Sequence, residues 1–200
     1  MAGLAALVIK RAFVKEAQRK EITMRKNNRM SVFASLALSL VLLCGLFTLA
    51  AGAVGGVLAG DGSAETPYEI ADAADLAAFR DLVNATPSST ANAVLVADID
   101  LENQNWKRIF PDSGYITEAY AGTFDGAFHT IKGLNVNASA ANQGLFGGIG
   151  LATVDGKTVT ATIKNLKVEG SVTASNNNVG GIVGQVNAGS VINCSFTGSV

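Results

Sequence analysis

The triplet Gly170-Ser171-Val172 returns unchanged as Gly198-Ser199-Val200, at the ends of two longer segments that also match. Set beneath one another, IKGLNVNA (131–138), IKNLKVEGSV (163–172) and VINCSFTGSV (191–200) form columns. Leu134, Leu166 and Cys194 fall in one column and Val136, Val168 and Phe196 in another, at spacings of 32 and 28 residues. Between them lies a second family of segments, GLFGGI (144–149) and GIVGQV (181–186). A unit this short cannot bury its own apolar face, so it must stack on its neighbours. Stacking makes the two columns interior rows and turns Lys132, Lys164, Lys167, Glu169, Ser195 and Thr197 outward. The repeat therefore predicts a mainly β fold, a parallel β-solenoid with at least two short strands per repeat joined by glycine corners. The pairs Gly147-Gly148 and Gly180-Gly181 are assigned to such corners, because they lack the spacing and following helix of a dinucleotide site. An antiparallel β-sandwich is the alternative; its strands would not repeat their residue identities.

Upstream of the repeats, Tyr68-Glu69-Ile70 reads as a strand. A helix is predicted over 72–84, where Leu76, Phe79, Leu82 and Val83 share one face. Asp72 is placed to cap it and Asp75 sits in its first turn. In AVLVADIDL the period changes to two, with Leu95, Ala97, Ile99 and Leu101 on one side and Val94, Val96, Asp98 and Asp100 on the other. Asn165 and Asn193 hold equivalent repeat positions, which predicts a stacked Asn ladder at one corner; Asn193 itself falls within a predicted strand.

The net charge of −1 conceals an asymmetry. Lys10, Arg11, Lys15, Arg19, Lys20, Arg25, Lys26 and Arg29 precede the apolar run Ser31–Ala53, and acidic residues dominate after it. That is the charge order of an exported protein. Ala51-Gly52-Ala53 is a small-x-small cleavage site, which places the cut after Ala53. An uncleaved, single-pass anchor is the competing reading, since the run is long enough to span a bilayer. The acidic remainder offers no basic stripe for nucleic acid. Of the two cysteines, Cys44 lies in the apolar run, so Cys194 is left without a disulfide partner. The expected division is a basic leader (1–23) ahead of a start at Met24 or Met30, a signal peptide or membrane anchor (24–53), a linker (54–67), an N-terminal cap with the first strands (68–130), and repeats (131–200) that stop in mid-pattern.

The ordered motifs GDGSAETPYEIADAADLAAF, VADIDL, NW, GTFDG, HTIKGLNV, GLFGGI, IKNLKVEGSV and VGGIVGQV resemble the GLUG-repeat proteins of bacterial cell surfaces. The resemblance covers roughly 60–200 and implies a pectate-lyase-like right-handed parallel β-helix, capped by the short helix. Phe128 departs from the pattern, which usually has a small residue there.

Chemistry-bearing residues are few. Asp98 and Asp100, two apart, put both carboxylates on one face and form the candidate ligand surface. Calcium is the cation such a pair would take, with Glu102 or Asp125 nearby, but two acids fall short of its coordination number. A solvated outer pair is the simpler reading. His129 is the chain's single histidine and has no HExxH motif around it. Trp106, Tyr115 and Tyr120 could make an aromatic platform for sugar rings, although Trp106 reads better as packing. No catalytic set, cofactor site or metal site is expected. The expected function is that of an exported repeat protein, secreted or at the cell surface, structural or adhesive and without catalysis. Its partners would be a host or cell-wall glycan or a protein, with membrane contact only through the N-terminal segment. The alternatives are a non-catalytic segment of a surface metallopeptidase and a glycan-active β-helix enzyme. The enzyme would need a carboxylate cluster with a basic residue on one face and has only Asp98, Asp100 and Lys107 or Arg108 to draw on.

Overall fold

The structure, a computed structural model, describes residues 58–200. The basic leader, the signal or anchor segment with Ala51 and Ala53, and the first residues of the linker lie outside the described residues. Among the described residues no helix is long and apolar enough to cross a membrane.

The described part is mainly β. Its first strand, β1 (Tyr68–Ile70), leads into the helix α1 (Ala73–Ala85). The strands β2 (Ala93–Leu95), β3 (Ile99–Asp100), β4 (Thr123–Asp125), β5 (Thr130–Ala138) and β6 (Phe146–Ile149) follow. Next come β7 (Leu151–Val154), β8 (Lys157–Thr160), β9 (Thr162–Lys164) and β10 (Lys167–Ala174). The last three are β11 (Val183–Val186), β12 (Ser190–Ile192) and β13 (Ser195–Ser199).

α1 starts where expected because the two acids cap it reciprocally. The Asp72 carboxylate accepts from the Asp75 amide at 2.9 Å, and the Asp75 carboxylate accepts from the Ala71 amide at 3.0 Å. Leu76, Phe79 and Val83 are fully buried, each worth about 1.5–3 kcal/mol of burial. Phe79 meets Tyr68, Tyr120 and Phe124 at ring separations of 6.5, 6.0 and 5.7 Å, so the helix covers the first strands.

Three sheets stack successive segments in parallel. Their strand orders are β1-β2-β4-β9-β12, β13-β10-β5-β3 and β11-β6. Antiparallel strand pairing is confined to the β7–β8 hairpin among the described strands, so the sandwich alternative is set aside. In the second sheet Ile99 stands opposite Ile131, Ile131 opposite Val168, and Val168 opposite Phe196. In the first sheet Phe124 stands opposite Ile163 and Ile163 opposite Val191. Ile99, Phe124, Ile131, Ile163 and Val168 are all buried.

The expected columns are half right. Val168 does stand opposite Phe196, but Val136 pairs with Val172 and Leu134 with Gly170, not with Val168 and Leu166. Three local length differences shift the earlier coil. β5 carries an extra residue at Gly133 (φ 69°), where the ladder to β10 slips. The turn between β4 and β5 is longer than the Asn165 corner between β9 and β10. The β7–β8 hairpin is a further insertion, closed at its base by the Ala161 amide donating to the Gly150 carbonyl at 2.9 Å.

The corners also differ from expectation. IKNLKVEGSV and VINCSFTGSV each break into two strands of different sheets, at Asn165 (φ 53°) and Asn193 (φ 55°). Asn193 is thus a corner residue. Asparagine suits these corners because it adopts the left-handed backbone more readily than most residues that carry a Cβ. Gly147 and Gly148 lie inside β6 and are buried. A Cβ at Gly147 would stand 2.5 Å from Arg108 Cδ, and one at Gly148 2.7 Å from Ile116 Cδ1, so close packing requires these glycines. AVLVADIDL keeps its alternation, with Leu95, Ile99 and Leu101 buried and Val96, Asp98 and Asp100 exposed, but β2 and β3 belong to different sheets.

Candidate functional site

Asp98 and Asp100 both emerge on the exposed face, Asp98 just before β3 and Asp100 within it. Each is engaged by the next segment. Asp98 Oδ1 accepts from the Thr130 amide at 2.9 Å and lies 3.0 Å from His129 Nδ1. The Thr130 amide, then His129, holds the Asp98 carboxyl below its ordinary pKa. Asp100 Oδ1 accepts from the Glu102 amide at 2.8 Å, and its Oδ2 pairs with Lys132 Nζ at 3.1 Å. The Glu102 amide, then Lys132, lowers its pKa in turn. The two aspartates therefore fasten successive segments together. Among the described residues no group of three His, Cys, Asp or Glu side chains is arranged to hold a metal ion.

The expected Asn ladder is present and extends one step further. Asn193 Nδ2 donates to Asn165 Oδ1 at 2.9 Å, and Asn165 Nδ2 donates to Asp125 Oδ1 at 3.1 Å. Lys164 Nζ pairs with Asp125 Oδ2 at 3.1 Å. Burial raises the Asp125 pKa, but hydrogen bonds from Ala127, Asn165 and Lys164 outweigh it and leave it lowered. A second ladder joins Asn178 Nδ2 to Asn142 Oδ1 at 2.8 Å, again between two left-handed residues.

The aromatic trio is not a platform. Tyr120 is fully buried, its hydroxyl donating to the Ala91 carbonyl at 2.8 Å. Trp106 is buried too, its indole donating to the Leu145 carbonyl at 3.2 Å, with the Arg80 guanidinium 4.9 Å from the ring centre. Tyr115 is exposed.

Of the two basic residues that a glycan-active site could draw on, Lys107 and Arg108, the second has surroundings that the sequence does not reveal. Arg108 lines a cavity of about 290 Å³ with Asn105, Lys107, Asp112 and Asn137. Its backbone is clamped by buried Asn84 of α1, which donates to the Arg108 carbonyl at 3.0 Å and accepts from the Phe110 amide at 2.6 Å. The readable signal was a pair of cations, Lys107-Arg108, directly after a tryptophan in an otherwise acidic region.

Stacked parallel segments of unequal length, joined at Asn corners, define a mainly β repeat protein. The GLUG motif family model matches residues 175–200, the segment that carries β11, β12 and β13. That match supports a GLUG-repeat protein. Among characterised proteins it is similar to Halomucin of Haloquadratum walsbyi (strain DSM 16790 / HBSQ001), with 34% identity over 151 residues. That match covers 72% of this chain and 2% of the relative, so the chain spans a small fraction of that protein's length. No solved structure matches.

Proposed function

We propose that the chain is an exported cell-surface repeat protein whose three parallel sheets form the walls of a right-handed β-helix. It serves as a structural or adhesive scaffold without catalysis of its own. The observation that carries this reading is the stacking of Ile99, Ile131, Val168 and Phe196 in one parallel row. Such a row builds a long, stiff body from short units, each supported by its neighbours. The GLUG motif and the likeness to Halomucin are consistent with a surface repeat protein. The outer charges support a scaffold role, since Asp98, Asp100 and Asp125 already have partners within the chain.

The test is location and processing. Expressed whole in a bacterial or archaeal host, the chain should be released by brief protease treatment of intact cells. Its N-terminus should be Val54 or a residue close to it. A chain that stays protease-resistant inside intact cells overturns the surface reading. Turnover of polyuronates or β-glucans with calcium supplied, abolished by Asp98→Asn or Asp100→Asn, would overturn the non-catalytic one.

A further inference from the structure

The Arg108 guanidinium is held in place before any ligand arrives. Asn84 fixes the backbone just after it, at the Arg108 carbonyl and the Phe110 amide. The missing side chain of Gly147 leaves the slot in which the Arg108 stem lies. The guanidinium carbon sits 5.1 Å from the Phe110 ring centre, a cation–π contact that orients the plane. Its Nε is buried and has no hydrogen-bond partner among the described residues. Asp112, the acid that lines the same cavity, is paired with Lys107 at 2.8 Å. The enclosed Nε leaves the rest of the guanidinium to meet an anion, and a half-buried, oriented cation with no ion-pair partner among the described residues is a costly arrangement unless an anion completes it.

The geometry points to a binding site for a carboxylate-bearing sugar in this cavity, the carboxylate seated on Arg108 and the hydroxyls on the Asn105 and Asn137 amides. A planar guanidinium matches a carboxylate in two parallel hydrogen bonds. The volume, about 290 Å³, suits one sugar ring. Phe110 and Pro111 supply an apolar wall for its C–H face. Nothing in this assignment depends on export, so it stands or falls apart from the surface reading.

Trp106 lines the cavity and is the chain's single tryptophan, so its fluorescence reports occupancy. D-glucuronate titrated into the full chain should give a saturable change, and D-glucose should bind at least tenfold more weakly. Arg108→Gln should weaken glucuronate binding at least tenfold. Asn137→Asp, at an exposed position that leaves the core untouched, should weaken it similarly by like-charge repulsion. This second variant carries the test should Arg108→Gln fail to fold. Unchanged affinity in the folded variants, or glucose binding as tightly as glucuronate, would sink the proposal. Equal affinity for inorganic sulfate would show a site that reads charge alone, and would overturn the sugar-acid assignment.

Discussion

Asn193 donates its side-chain amide to Asn165 at 2.9 Å, and both residues stand in the left-handed backbone region, one directly above the other at successive corners. Two effects combine in Asn165. It tolerates a positive φ, and it links Asp125 below to Asn193 above. Asn165→Ala should cost about 1–3 kcal/mol, the left-handed penalty plus the lost hydrogen bonds. Asn165→Gly keeps the backbone and loses only the bonds, so it should cost about 1 kcal/mol. Urea midpoints of the two variants separate the effects; equal losses would show that backbone strain plays no part.

Gly126, Ala127, Phe128 and His129 form a tight turn in which the His129 amide donates to the Gly126 carbonyl at 2.7 Å. Ala127 and Phe128 have φ of 46° and 68°, the two positive values of a type I′ turn. Phe128 is 66% exposed, so its ring contributes little burial in return. Phe128→Gly should therefore stabilise the fold by up to about 1 kcal/mol. A lower thermal midpoint in this variant would mean that the ring makes a contact worth more than the strain.

Register can be read by crosslinking in a Cys194→Ser background. Cysteines at Val168 and Phe196 should form a disulfide within one molecule under mild oxidation, since they are direct partners on adjacent parallel strands about 4.8 Å apart. Cysteines at Val136 and Val172 should do the same. Cysteines at Val136 and Val168 should not, because Val168 faces Ile131. Efficient closure of that third pair would restore the simpler column and contradict the bulge at Gly133.

Asp61 gathers hydrogen bonds from the Thr66 hydroxyl at 2.6 Å and the Ser63 amide at 2.9 Å. These bonds, that from Thr66 foremost, lower its pKa from 3.8 to about 2. A depressed carboxylate stabilises the folded state fully above its unfolded pKa and loses that contribution as pH falls through the folded one. The window is thus from about pH 4 down to about pH 2. Asp61→Asn should flatten the fall of the urea midpoint across that window and leave its slope near neutrality unchanged. An identical acid profile in the variant would remove Asp61 as a source of the dependence.

The parts legible in the sequence were those set by short-range pattern. α1 followed from Leu76, Phe79 and Val83 and its capping acids, and the Val168–Phe196 pairing from an unbroken match of residue identities. The earlier coil was misaligned because an insertion is invisible to periodicity. The bulge, the longer turn and the hairpin each displace the pattern without changing its character. The Gly147-Gly148 pair misled for a related reason: composition shows that glycine is needed, but not whether a turn or a close neighbour demands it. The setting of Arg108 was out of reach because it depends on two distant residues, Asn84 and Gly147, that meet it only in the folded chain.

The β7–β8 hairpin has a consequence for how such chains diversify. It leaves the wall at Gly150 and returns at Ala161, and those two residues are hydrogen-bonded to one another. Path length within the loop is therefore decoupled from the geometry of the stack, and Tyr120 and Gly122 still receive the amides of Gly150 and Thr162 whatever lies between. Such a site works as a socket. Sequence of almost any length and chemistry can be displayed from it while the body that carries the display stays the same.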